Sequence, residues 1–209
     1  MTTAEILTKL NSTRSPDRRS AAKFIGKKGL AALGNDLLLA YERERTDPRS
    51  WETQTEMLKA LGSIGHAPAL PLAEVVVRFN EPHDMITRSA ASCYVRLKRS
   101  SLADATPVLE LLSFGRLSVI DGALDPLGCD RMMPPPEQIE QLIKHSWDLH
   151  RHPDMTRGLV DARYGLAAAC AGWEPALVRP FLEHCLSTGD VSVKHVAENS
   201  LKGKYVALR

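Results

Sequence analysis

Leu58-Lys59-Ala60-Leu61-Gly62-Ser63-Ile64-Gly65-His66-Ala67-Pro68-Ala69-Leu70 decides the architecture. An apolar helical run stops at glycine, the chain turns a tight corner, and a second helix opens near a proline, the residue suited to a first helical turn. A related pattern returns at Leu166-Ala167-Ala168-Ala169-Cys170-Ala171-Gly172-Trp173-Glu174-Pro175-Ala176-Leu177, with fainter copies between. The chain therefore reads as stacked helical hairpins.

Around the first quoted stretch, Trp51, Gln54, Met57, Leu58 and Leu61 recur at three- and four-residue steps and define one helix face. Gly62 or Gly65 ends that helix, and Pro68 opens the next, whose apolar set is Leu70, Leu72, Ala73, Val76 and Val77. The three adjacent valines at 75–77 would suit a strand, but the flanking period favours a helix buried on a broad face. Working outward, the first hairpin pairs Ser20 to Lys27 with Ala31 to Glu44, and Gly29 marks its corner. The third pairs Asp84 to Leu97 with Leu102 to Leu112, and the fourth Leu117 to Leu127 with Pro136 to Leu149. The fifth pairs Met155 to Cys170 with Pro175 to Leu186, and a last helix over Ser192 to Val206 closes the stack.

Gly26 stands 36 residues before Gly62, and Pro68 to Pro175 is 107 residues, close to three such periods. Two helices per period of this length point to a superhelical array, in which each hairpin buries on its neighbours the apolar surface it cannot bury alone. Asn11 to Arg19 reads as a polar loop after a capping helix over Met1 to Leu10, with Ser15-Pro16 inside it as a helix-start signal. Asp84, Ser101 and Asp190 are candidate N-caps. The widest departure from the period is 128–136, where three successive prolines cannot lie within a helix. It reads as a stiff connector, either a plain spacer or a protruding binding edge.

The order Ala/Leu-Gly-x-Ile-Gly, a short turn, then Pro-Ala-Leu resembles HEAT repeats, including the short bacterial type related to bilin-lyase-like repeats. Leu58 to Leu70 and Leu166 to Leu177 carry the resemblance, and Arg88-Ser89-Ala90-Ala91 matches the usual Arg-x-Ala-Ala segment. It spans Ser20 to Leu201, with residues 98–155 departing from it. The resemblance implies an all-α fold, a right-handed α-α superhelix of about five hairpins with capping helices, as a single repeat domain over 1–209. It implies a scaffold, adaptor, inhibitor or immunity-type protein. No catalytic residue comes across with it.

Bulk properties agree with a folded, non-membrane chain. Of 209 residues, 44% are hydrophobic and 25% charged, enough to bury a substantial core and ordinary for a soluble folded protein. A net charge of +2 is too small to demand a polyanion, so nucleic-acid binding would need local clustering. The start has no long apolar core followed by a cleavage-like site, and Leu37-Leu38-Leu39-Ala40 is too short to cross a membrane. Cys93, Cys129, Cys170 and Cys185 are well separated, and three lie in apolar helical patterns, as buried free thiols do. A cytoplasmic location follows.

In such an array the second helices line the inner side. Their polar positions include Glu42, Glu44, Glu74 and Arg78, then Glu110, Glu140 and Lys144, and finally Arg179 and Glu183; Trp147 joins them as an aromatic. This row is mainly acidic, so the expected partner is another protein with a basic surface. Pairing of end repeats into a homodimer is compatible with the same reading. Arg18, Arg19, Lys23, Lys27 and Lys28 fall instead on first helices or corners, which weighs against nucleic acid. A HEAT-like base-repair enzyme or a tetrapyrrole lyase-like enzyme is the alternative; a deep pocket joining Trp147, His145 and carboxylates would favour it. His145, His150 and His152 lack standard zinc spacing, and Cys185 beside His184 makes no identifiable dyad, so no cofactor or metal is expected. Trp173, between Gly172 and Pro175, reads either as an exposed contact anchor or, with Trp51, as a staple between repeats.

Overall fold

A computed structural model describes residues 1–79, 84–157 and 161–207. Among the described residues all regular structure is helical, with twelve α-helices and no strand. Contacts divide the chain into two compact units, one from Met1–Asn80 and Asp84–Lys98, the other built mainly on Arg99–Arg209. The single domain expected over 1–209 is accordingly described unit by unit.

The first unit holds α1 (Thr3–Leu10), α2 (Ser15–Lys28), α3 (Gly34–Glu44), α4 (Trp51–Ser63), α5 (Leu70–Arg78) and α6 (Met85–Lys98). Thr2 and Glu5 start α1 with a reciprocal capping box: the Glu5 amide donates to Thr2 Oγ1 and the Thr2 amide to Glu5 Oε2. Helix α2 begins at Ser15, so the polar loop ends at Arg14, five residues earlier than expected; Pro16, which needs no intrahelical partner for its nitrogen, sits in the first turn. First helices α2, α4 and α6 pack in succession, α3 lies on α4, and α5 lies on α6.

Two corners of this unit are copies. Gly29 (φ 64°) and Gly65 (φ 66°) are 36 residues apart, and both take the left-handed conformation that side chains with a Cβ resist. After each, the next amide reaches back to the preceding helix, Leu30 to the Ile25 carbonyl and His66 to the Leu61 carbonyl, both at 3.1 Å. A short 3-10 turn follows at Ala31–Leu33 and at Ala67–Ala69, and the second helix starts. Gly65 therefore ends α4, while Gly62 has a different task inside the helix. A Cβ on Gly62 would stand 3.0 Å from the Cys93 Cα, and one on Gly26 would stand 3.1 Å from the Ala60 Cα. These glycines let one first helix lie directly on the next.

Met57, Leu58 and Leu61 are fully buried, as the period demands, each contributing about 1.5–3 kcal/mol of burial. Trp51 is not with them: it stands at the open N-terminal end of α4 and is 46% exposed. On α5 the buried set is Leu72, Ala73 and Val77; Val75 points out, so the broad buried face expected there is narrower.

The second unit holds α7 (Thr106–Leu112), α8 (Leu117–Cys129), α9 (Pro136–Ser146), α10 (Tyr164–Ala169), α11 (Pro175–Thr188) and α12 (Val191–Ser200). One layer is α8, α10 and α12 in succession, and the other is α7, α9 and α11. Helix α7 starts four residues later than expected because Asp104 holds the chain in a turn. Its carboxylate accepts from the Ser100 amide (2.9 Å) and the Thr106 amide (3.0 Å). The Ser100 amide is the main cause that brings this carboxyl down to about 2. Ser101 caps only a turn, through the Ala103 amide, whereas Asp84 and Asp190 act at the helix starts as expected.

The connector expected over 128–136 shrinks to 130–135. Helix α8 runs through Cys129, and Pro136 is the first residue of α9. The corner is the glycine corner again with a different residue: Arg131 takes φ 51°, and the Met132 amide reaches the Leu127 carbonyl at 3.0 Å. The Arg131 guanidinium lies 4.5 Å from the centre of the Tyr205 ring. Met132 and Pro134 are buried and anchor this segment, while Arg131, Met133 and Pro135 remain exposed. Trp173 covers it: the indole is buried and its Nε1 donates to the Met132 carbonyl at 2.8 Å. The exposed-anchor reading of Trp173 is thereby replaced by the staple.

Of the helix expected over Met155 to Cys170, residues 158–160 lie outside the described residues; a 3-10 turn covers Pro153–Arg157 and α10 starts at Tyr164. Helix α12 stops at Ser200 instead of Val206 because Gly203 (φ 65°) forms another left-handed end. No helix among the described residues is long and apolar enough to cross a membrane.

Two substitutions separate close packing from backbone conformation. A Cβ on Gly165 of α10 would meet the Leu124 carbonyl oxygen of α8 at 2.5 Å, whereas one on Gly29 meets nothing within 4 Å. Gly165→Ala is expected to cost about 3 kcal/mol by overpacking. Gly29→Ala should cost about 1 kcal/mol, from the left-handed backbone alone. Urea unfolding of both variants checks the order; equal losses would contradict it.

Candidate functional site

Four of the sequence-selected positions, Glu42, Glu44, Glu74 and Arg78, belong to the first unit. Glu44 is a correction. It is 3% exposed at the end of α3, paired with Arg18 of α2 and accepting from Ser15 Oγ at 2.7 Å. Burial by itself raises its carboxyl, but hydrogen bonds from Arg18 and Ser15 outweigh this and hold it below the usual carboxylate range. A carboxylate so enclosed locks α2 to α3 and is not offered to a partner. Thr53 of α4 joins the same lock through its 2.8 Å contact with Ser15.

Glu42 is open to solvent, with Arg45 Nη1 at 3.6 Å. It lines a recess of about 310 Å³ together with Leu10, Asn11, Asp36, Leu39 and Arg43, between α1 and α3. Glu74 and Arg78 face solvent on α5 and pair with each other at 2.6 Å. Sequence reasoning missed what stands among these charges: Leu39 is 63% exposed, Val75 44% and Phe79 80%. Leu39 and Val75 are 36 residues apart, the spacing of the glycine corners, so they hold equivalent positions.

In the second unit the layer α7, α9, α11 carries the remaining positions. Glu110 is exposed on α7, and Glu140 and Lys144 are exposed on α9, one turn apart. Arg179 and Glu183 are exposed on α11, 3.8 Å from each other. Trp147, just past α9, is half-buried rather than free. His184 of α11 stacks on its ring at 4.4 Å with 8° between planes, and His184 Nε2 lies 3.1 Å from the Trp147 carbonyl. Phe181 closes the side at 6.3 Å. A ligand-binding Trp147 beside His145 is not what these contacts build, since the indole face is already covered and His145 is exposed.

Beside His150, at the edge of this stack, lies a buried ion pair. Arg163 is fully buried and clamps Asp161 through three contacts from one edge of its guanidinium, with its Nη2 at 2.5 Å and its Nε at 3.0 and 3.1 Å. Its Nη1 donates to Thr188 Oγ1 at 2.9 Å and lies 3.5 Å from His150 Nδ1. The Asp161 amide in turn donates to Asp190, the cap of α12. This network ties the start of α10 to the ends of α11 and α12. Burial and the neighbouring Arg163 charge push His150 below its ordinary 6.5.

The three buried thiols are poor nucleophiles, whereas Cys129 at the end of α8 is exposed. Burial pushes Cys93 and Cys185 up to about 12 and Cys170 well above its ordinary value. Among the described residues no group of three or more His, Cys, Asp or Glu side chains gathers as a metal site would. The chain matches no family model, no curated protein and no solved structure.

Because folding lowers the proton affinity of His150, the unfolded chain binds that proton more readily as pH falls below about 6.5. Stability is therefore expected to drop from pH 7.5 to pH 5.5, and His150→Gln should flatten part of that slope in urea midpoints. An unchanged slope would contradict the arrangement. Arg163→Met leaves Asp161 buried without its counter-charge and should cost about 3 kcal/mol or more; a loss below about 1 kcal/mol would show the clamp to be idle.

Proposed function

We propose that this chain is a non-catalytic protein-binding module of HEAT-like repeats, each unit wound in the right-handed sense, serving as a scaffold, adaptor or inhibitor of the immunity type. The repeat reading is supported by corners that recur with the same backbone conformation and the same reach-back hydrogen bond. It is also supported by contacts that join residues one period apart, such as Ser200 to the Ala167 carbonyl and the Ala105 amide to Gln138, each 33 residues away. The binding reading rests on one observation: second helices leave large apolar side chains uncovered, Leu39 at 63% and Phe79 at 80%, amid solvated charges. Uncovered apolar side chains within a charged rim are what a protein interface uses.

Chemistry is the poorer reading of the same residues. The buried thiols are held protonated, His184 and Trp147 cover each other, and Arg163 and Glu44 are spent on structure. The exposed charges of the second unit, Glu140, Lys144 and Glu183, are the part of a rim that steers a partner and sets its orientation.

Affinity capture from the native cell tests this reading. The wild-type chain is expected to retain one protein in stoichiometric amount. The triple variant Glu140→Lys/Lys144→Glu/Glu183→Lys, or a variant of Leu39, should retain it at least about tenfold more weakly. Retention of nucleic acid or of a small pigment in place of a protein would contradict it.

A further inference from the structure

We propose that the recess between α1 and α3 receives a lysine or arginine side chain from an amphipathic segment of a partner protein, with the methylene stem on Leu39 and the cation at Asp36 and Glu42. This inference rests on the protein-binding reading and names the chemistry of the partner.

The recess has the two surfaces such a side chain needs. Its apolar side is Leu10, buried at the end of α1, and Leu39, which is 63% exposed although its neighbour Leu37 is fully buried. Its polar side is Asp36 and Glu42, one turn of α3 to either side of Leu39. Asp36 makes no hydrogen bond or ion pair among the described residues, and Glu42 is approached only at 3.6 Å by Arg45. The one cation in the lining, Arg43, donates to Asn11 Oδ1 at 3.0 Å and is held at that end. Two carboxylates against one guanidinium leave the lining negative.

That combination selects among occupants. An anion is repelled by both carboxylates. A wholly apolar group would strip water from Asp36 and return no partner, an unfavourable exchange. A metal ion would gain nothing from the leucine wall. Lysine and arginine carry an apolar stem and a charged tip, and they bury the first while the second stays near water and carboxylate. At about 310 Å³ the space lies at the lower end of ligand sites, suited to one such side chain. The partner is a polypeptide because the exposed apolar positions do not stop here. Val75 holds the equivalent place in the next hairpin and Phe79 follows one turn on, and a free amine covers neither.

The test selects random peptides from a display library against the whole chain. Peptides pairing Lys or Arg with Leu or Phe are expected to be enriched. They should bind Asp36→Lys/Glu42→Lys about tenfold more weakly than the wild type, bind Leu39→Asp as weakly, and weaken as salt is added. These positions are exposed, so melting temperatures should stay close to the wild type. Acidic peptides, or peptides insensitive to those variants, would overturn the proposal. Peptides lost only in Glu140→Lys/Glu183→Lys would also overturn it and would leave the protein-binding reading standing. Spermidine competing as strongly as the peptides would assign the recess to free amines. Self-association abolished by Leu39→Asp would assign the face to a second copy, and either result overturns the proposal.

Discussion

Successive first helices in each unit lie against one another with almost nothing between their backbones. Gly26 meets Ala60 and Gly62 meets Cys93 at separations where a methyl group would be tight, and Gly165 meets the Leu124 carbonyl where it would clash outright. Small residues are a constraint here rather than a convenience. Any larger side chain would push the helices apart, and the leucines and isoleucines beside the contact would lose the close packing from which their burial draws its dispersion energy. With the first helices fixed at that distance, the second helices are left to cover one side each. Their outward faces remain open.

The polar groups that look most chemical are consequences of the same arrangement. A chain folded back on itself every three dozen residues or so must hold its turns in register, and buried ion pairs do this where apolar contact alone would tolerate slippage. Arg18 with Glu44 ties α2 to α3, and Arg163 with Asp161 ties three helix ends together. Both pairs are enclosed, so neither is at hand for a partner or a substrate. Charges on the open faces are different. They are solvated and individually weak, and on the proposed reading they act in steering and matching another surface. The division between enclosed and solvated charge follows from which helix faces the packing covers.

Much of the fold was legible because its determinants are local. Glycine followed within a few residues by proline is a property of neighbouring positions, and it located the corner after α4 and the second helix opened by Pro175, while residue type alone marked the cap at Asp190. What stayed hidden depends on residues far apart in the chain. Glu44 reads as a surface acid until Arg18, 26 residues earlier, is brought to it. Trp173 reads as a free aromatic until the Met132 carbonyl, 41 residues earlier, takes its N–H. Arg131 hid the corner of the fourth helix pair, since an arginine in a left-handed conformation leaves no glycine to see; Gly128, in the place of Gly26 and Gly62, was the available signal. Leu39 escaped notice inside the run Leu37-Leu38-Leu39, where only three-dimensional packing decides which leucine is left outside.

Amide hydrogen exchange on the native chain tests most directly whether first helices form the interior and second helices the receptive surface. The account predicts the slowest exchange in α4, α6, α8 and α10, whose small residues and leucines are covered by the helices packed on them within each unit, and markedly faster exchange along α3, α5 and α9. Protection concentrated in α3, α5 and α9, with the first helices exchanging freely, would contradict it.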